Sequence, residues 1–102
     1  MKLVRDHFLE LAAANDQPAS FHQADPAEFR RRLRAKLLEE AHEAAAATSP
    51  AGLLEELGDV LQVLYALASD AGYPAAEVEC ARARKARTHG SYTRRLILHD
   101  LT

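Results

Sequence analysis

The segment EEAHEAAAATSPAGLLEELGD, residues 39–59, sets two acidic clusters on either side of a single turn. Ala44 to Ala47 is a run of the strongest helix former. Thr48-Ser49-Pro50 ends that helix, because a proline lacks the N–H and its ring collides with the preceding turn. The same residues begin another helix: Ser49 is suited to cap free N–H groups, and Pro50 has the φ of a first helical position. Two helices joined by so short a link fold back as antiparallel neighbours. Residues near 40–43 therefore lie beside residues near 56–59, and the acidic clusters meet.

Outward from this hairpin the pattern stays helical. Asp25-Pro26-Ala27-Glu28 combines an N-cap, a first-position proline and a capping-box glutamate, which predicts a helix from Pro26 to about Ala47. Leu53, Leu57, Val60, Leu61, Leu64, Leu67 and Ala68 recur at the helical period on the next helix, which ends near Gly72; this stripe is the expected core. A first helix is predicted from Lys2 to about Ala14, closed by Asn15-Asp16-Gln17-Pro18, with residues 15–24 as a loop. A fourth runs from Pro74 to about Thr88, before Gly90, and Tyr92 to Leu98 reads as an extended tail. With little that alternates as a strand does, the fold class is all-α: an antiparallel bundle of about four helices with a short extended C-terminal tail, in a single domain over residues 1–102.

Composition narrows the function classes. A chain of 102 residues buries a modest core and gains from a partner, so a homodimer or homotetramer is expected to complete the bundle. No apolar run approaches the roughly 20 residues that cross a bilayer, so no membrane partner is expected. Charges occupy Met1 to Asp6, where a signal peptide carries its apolar stretch, and a cytoplasmic setting fits. The single cysteine, Cys80, excludes an internal disulfide and reads as a small buried hydrophobe in a reducing compartment. Residues 82, 84, 85, 87, 94 and 95 are basic, but a net charge of -2 gives weak overall attraction to a polyanion, so no nucleic-acid partner is expected. His7, His22, His42, His89 and His99 show no metal-ligand spacing.

The chemistry resides in the carboxylates. At 100° per residue, Glu56 falls between Val60 and Val63, inside the apolar arc, with Asp59 at its edge and Glu55 on the solvent side. On the preceding helix Glu40 projects between Phe29 and Leu33 near the edge of the apolar face, Glu43 and Lys36 lie beside it, and Glu39 is further round, toward solvent. Arg30 and Arg34 fall in the middle of that arc and are expected to meet ion partners or a second subunit. Acids gathered at such an interface repel by about 4 kcal/mol per close pair at an effective dielectric near 20. Lys36 alone is too little to offset this. Oxygen-preferring Mg²⁺, or Mn²⁺, offsets it, with the i,i+3 pairs Glu40/Glu43 and Glu56/Asp59 holding one ion or two. The competing reading is a non-catalytic helical dimerisation module whose acidic groove is merely solvated.

Glu40-x-x-Glu43, twelve residues, then Glu56-x-x-Asp59 resembles the ExxE and ExxD pair of the all-α nucleoside triphosphate pyrophosphohydrolases, the MazG-like and phosphoribosyl-ATP pyrophosphohydrolase-like proteins. Lys2-Leu3-Val4-Arg5-Asp6 is similar to the N-terminal KLVRD of one subgroup. Lys36-Leu37-Leu38-Glu39-Glu40 resembles its KLxEE, and Lys85 followed by Gly90-Ser91-Tyr92 its K…GGF. The sequence departs from that subgroup at His7-Phe8, where Lys-Ile is usual, and at Ser91-Tyr92, where Gly-Phe is.

The resemblance implies a nucleotide substrate, a nucleoside triphosphate or a phosphoribosyl-ATP-like molecule, cleaved between the α and β phosphates to monophosphate and pyrophosphate. It implies Glu40, Glu43, Glu56 and Asp59 as metal ligands, with one of them or Glu39 orienting and deprotonating the water. It further implies Lys85, with Arg5, Lys2 and Lys36, as cations for the phosphates, and Tyr92 as the aromatic of the substrate site. Bound divalent cations reverse the local field, so that an anionic nucleotide can approach, and no protein nucleophile is required.

Overall fold

A computed structural model describes residues 1–101 of the chain. Four helices follow one another: α1 Phe8–Ala14, α2 Pro26–Ala46, α3 Pro50–Asp70 and α4 Ala75–His89, with no strand among the described residues. The starts of α2 and α3 are those the sequence specifies. The Asp25 side chain accepts from the Glu28 N–H, the Ser49 hydroxyl accepts from the Gly52 N–H, and a proline opens each helix. Gly72 closes α3 at φ +92°, a left-handed conformation that glycine adopts without a Cβ penalty. The Tyr73 and Gly72 N–H groups then satisfy the carbonyls of Ala68 and Ser69.

α2 and α3 form the antiparallel hairpin on which the rest of the molecule is hung. Its register is fixed at the open end, where Arg30 Nε donates to Asp70 Oδ2 at 3.2 Å. α4 packs on α3, while the Cα trace of α1 stays more than 8 Å from that of every other helix and Phe8 makes an edge-on contact with Phe21 of the following loop. The N-terminal arm, that loop and α2 bound an open hollow of about 1040 Å³ rather than a packed layer.

Several expectations are corrected. The first helix does not begin at Lys2: residues 1–5 have no regular structure, His7 supplies no side-chain cap, and α1 starts at Phe8. Instead Leu3 and Val4 are drawn against the hairpin and half-buried, a tertiary contact that outweighs local helix propensity. The tail is not extended throughout, since the Arg95 N–H turns back to the Tyr92 carbonyl, with Arg95 at φ +54°. Cys80 is exposed, because α4 turns Val78, Ala83 and Ala86 inward and leaves residue 80 on the other side.

The buried face of α2 is also centred differently. Leu33 and Glu40 are its two buried residues, so Glu40 lies at the middle of the contact and Arg30 and Arg34 on its exposed flank. Arg30 finds its ion partner, Asp70, within the chain. The α3 stripe is covered only in part. Val63 is buried, but Leu54, Leu57, Leu61 and Tyr65, spaced i, i+3, i+7 and i+11 along one face, remain exposed. α2 and α4 together leave this side of the wide apolar arc uncovered.

Candidate metal centre

Glu40 and Glu43 sit one turn apart on α2, and Glu56 faces them from the first half of α3. Each contributes one carboxylate oxygen to a cluster whose members all lie within 4.8 Å of one another. Helical spacing puts the α2 pair on one face, and the tight Ala47-Thr48-Ser49 link holds the third acid opposite them. The cluster is closed on one side and open on the other: Glu40 is buried, Glu56 half-buried and Glu43 exposed.

Two oxygens have no internal account. Glu40 Oε2 and Glu56 Oε2 are buried and meet no hydrogen-bond donor. A buried acceptor left without a partner carries a desolvation cost, larger still for an ionised group, so such atoms in a folded protein signal a missing ligand or a functional site. Glu40 Oε1 has the Lys36 ammonium at 3.4 Å, which serves one of the three acids. The donor set is oxygen throughout, with neither sulfur nor nitrogen, and suits a hard divalent cation of the Mg²⁺ or Mn²⁺ kind.

The remaining expected residues divide into two groups. Asp59 stands outside the three-glutamate cluster, and its Oδ1 accepts from Arg5 Nη2 at 2.7 Å. Glu39 is not free in solvent; Lys36 lies 3.5 Å and Lys2 3.8 Å from its two oxygens. Lys36, Arg5, Glu40 and Asp59 line a groove of about 410 Å³ together with Val4 and Gln62. Gln62 carries no signal of its own in the sequence, and Val4, part of the KLVRD stretch, lies on an arm that is not helical. Lys85 and Tyr92 are not in the groove wall, and Tyr92 is 93% exposed. All five histidines are exposed, and His22 Nε2 pairs with Glu28 Oε1 at 2.9 Å.

A model of the phosphoribosyl-ATP pyrophosphohydrolase family matches residues 7–86, which include α1, α2, α3, most of α4 and all three clustered glutamates. The chain belongs to that family. Membership in the phosphoribosyl-ATP pyrophosphohydrolase family accounts for an all-helical fold and brings a nucleotide-hydrolysing activity with it. The matched stretch begins beyond Lys2 and Arg5 and ends before Tyr92, so those three residues lie outside it. No curated protein and no solved structure matches the chain significantly. No helix among the described residues is long and apolar enough to cross a membrane.

Proposed function

We propose that the chain is a divalent-metal-dependent nucleotide pyrophosphohydrolase that cleaves a nucleoside triphosphate, or a phosphoribosyl-ATP-like nucleotide, between its α and β phosphates. The observation that carries this reading is the pair of buried, partnerless oxygens, Glu40 Oε2 and Glu56 Oε2, converging from two helices beside Glu43. A solvated scaffold gives them no reason to be there, whereas Mg²⁺ or Mn²⁺ satisfies both. Glu40, Glu43 and Glu56 are the residues that hold the ion, with Asp59, one turn beyond Glu56, joining them. Bound there, the ion supplies a lowered pKa for an attacking water and a positive field for the phosphates.

The chain's own side chains do the rest. Glu40 and Glu56 are positioned by a rigid helical hairpin, and burial keeps bulk water away from their inner oxygens. One of these carboxylates, or Glu39 just outside the cluster, orients and deprotonates the attacking water. Lys36 and Arg5 face the phosphates from the groove, Lys2 reaches them from the arm beside it, and Lys85 and Tyr92 meet the substrate from α4 and the tail.

Completion of the bundle by a second copy of the chain belongs to the same proposal. The accessible surface is 8927 Å², against about 5,700 Å² for a compact monomer of this mass. The radius of gyration is 17.6 Å, against about 13 Å. The excess, about 3,200 Å², is more than the roughly 1,000–2,500 Å² that each subunit of an obligate homodimer buries, so a partner subunit accounts for part of it, and the Leu54, Leu57, Leu61 and Tyr65 face of α3 offers it an apolar surface.

The test is a panel of canonical and modified triphosphates and phosphoribosyl-ATP, incubated with Mg²⁺ and scored for released pyrophosphate. Cleavage of at least one to its monophosphate is expected, with loss of activity in both Glu40→Gln and Glu56→Gln. Full activity in both variants overturns the assignment of the site.

A further inference from the structure

The N-terminal arm straps the acidic face of the hairpin. Leu3 and Val4 are its half-buried anchors in the groove. The cations on either side of them reach one acid on each helix: Lys2 Nζ lies 3.8 Å from Glu39 of α2, and Arg5 Nη2 lies 2.7 Å from Asp59 Oδ1 of α3. Asp59 is three residues beyond Glu56 and so on the same face of α3, and it lines the same groove as Glu40. Yet it is the one acid of the four that stands apart from the cluster, and it is the one that Arg5 holds.

We propose that Arg5 is the built-in counter-cation of this site: it keeps Asp59 until a divalent ion binds the three glutamates and takes Asp59 from it. The freed guanidinium is then left at the mouth of the groove, where its planar fork suits a phosphate group. The inference rests on the metal-centre reading given above. Three features support an exchange rather than a permanent pair. The pair is open to water, with side-chain exposures of 62% and 41%, so it is weak and readily displaced. Arg5 sits on a segment without regular structure, so its departure breaks no helix. A divalent charge also out-competes a single guanidinium for a carboxylate that has other acids beside it, because the repulsion among those acids is relieved at the same time.

Calorimetric titration with Mn²⁺ alone, no nucleotide present, tests this on the full chain. Removing the competitor in Arg5→Ala should tighten Mn²⁺ binding about 1.4- to fivefold, the range an exposed ion pair allows, while Arg5→Lys stays near wild type. Asp59→Asn should weaken binding, and Arg5→Ala added to Asp59→Asn should bring no gain, because the effect runs through that one carboxylate. Unchanged or weaker binding in Arg5→Ala overturns the exchange. So does an equal gain in the Asp59→Asn background, which reports only the loss of a nearby positive charge. Glu56→Gln separates the two levels. If it binds Mn²⁺ like wild type, the metal centre itself is misplaced; if it loses Mn²⁺ while Arg5→Ala shows no gain, the role of Arg5 alone fails.

Discussion

Glu40 and Glu56 approach each other across the hairpin, each with its Oε2 buried and out of reach of any donor, and with Glu43 they bring three oxygens within 4.8 Å. In the metal-free chain this arrangement is a local instability. Millimolar Mg²⁺ or Mn²⁺ should therefore raise the melting temperature. At a tenfold excess over its Kd an ion adds about 1.4 kcal/mol, or roughly 6–10 °C for a domain of this size. Glu56→Gln removes one of the facing charges, so without metal it should melt at least as high as wild type and show no response to the ion. A metal-free Glu56→Gln protein that is less stable, yet still stabilised by Mg²⁺, contradicts both parts.

Leu33 is the one large side chain fully enclosed in the hairpin, 2% exposed, and it lies two turns before Glu40 on the same buried face of α2. With so few buried residues, its loss should weigh heavily. Leu33→Ala is expected to cost about 2–5 kcal/mol in urea unfolding. Because it also loosens the face that carries Glu40, the ion-induced gain in melting temperature should shrink with it. A cost below about 1 kcal/mol would place the core elsewhere.

Much of this architecture is legible in the sequence, for reasons that can be named. Asp25-Pro26 and Ser49-Pro50 are local signals whose chemistry acts within one turn, and the short link between α2 and α3 leaves only the antiparallel hairpin. Helical spacing then brings Glu40, Glu43 and Glu56 together. What escapes the sequence depends on partners distant in the chain. Residues 2–6 give up helix for contacts 37 and 54 positions away, between Lys2 and Glu39 and between Arg5 and Asp59. The centre of the α2 face was displaced from Arg30 and Arg34 to Glu40, since Asp70 offers Arg30 an ion pair at the rim. Cys80 follows the same logic: composition makes it apolar, but only the packing of α4 decides which way it points.

Glu28 offers a test of stability against pH away from the proposed centre. Hydrogen bonds from His22, and then from Arg32, hold its carboxyl below the ordinary glutamate range near 4.5. A carboxyl whose folded value is depressed contributes stability that is fully present above the unfolded value and disappears as the pH falls through the folded one. Glu28→Gln should therefore be less stable than wild type at pH 6, and the gap should close progressively as the pH falls below 4.5. Guanidinium unfolding of both proteins across that range measures it, and a gap that persists undiminished at the acid end counts against the pairing.

The exposed α3 face yields the prediction with the widest consequence. Leu54, Leu57, Leu61 and Tyr65 are 72%, 51%, 44% and 39% exposed, and between them Gly58 leaves open space where a Cβ would stand. A helix face of that kind, smooth in the middle and apolar along its length, suits close approach by the same face of a second copy, which is the self-complementary geometry of a twofold dimer. Wild-type protein should sediment as a dimer or larger assembly at micromolar concentration. Leu57→Asp puts a charge at the middle of the face and should shift the protein toward monomer, with a melting temperature that is lower and no longer rises with protein concentration. Since Leu57 follows Glu56 directly, the same variant reports whether the metal centre depends on the assembly: ion binding that survives in the monomer confines the centre to a single hairpin, and ion binding lost with the dimer makes the second copy part of its support. Wild-type protein that sediments as a monomer at these concentrations removes the dimer from the proposal and leaves the face unexplained.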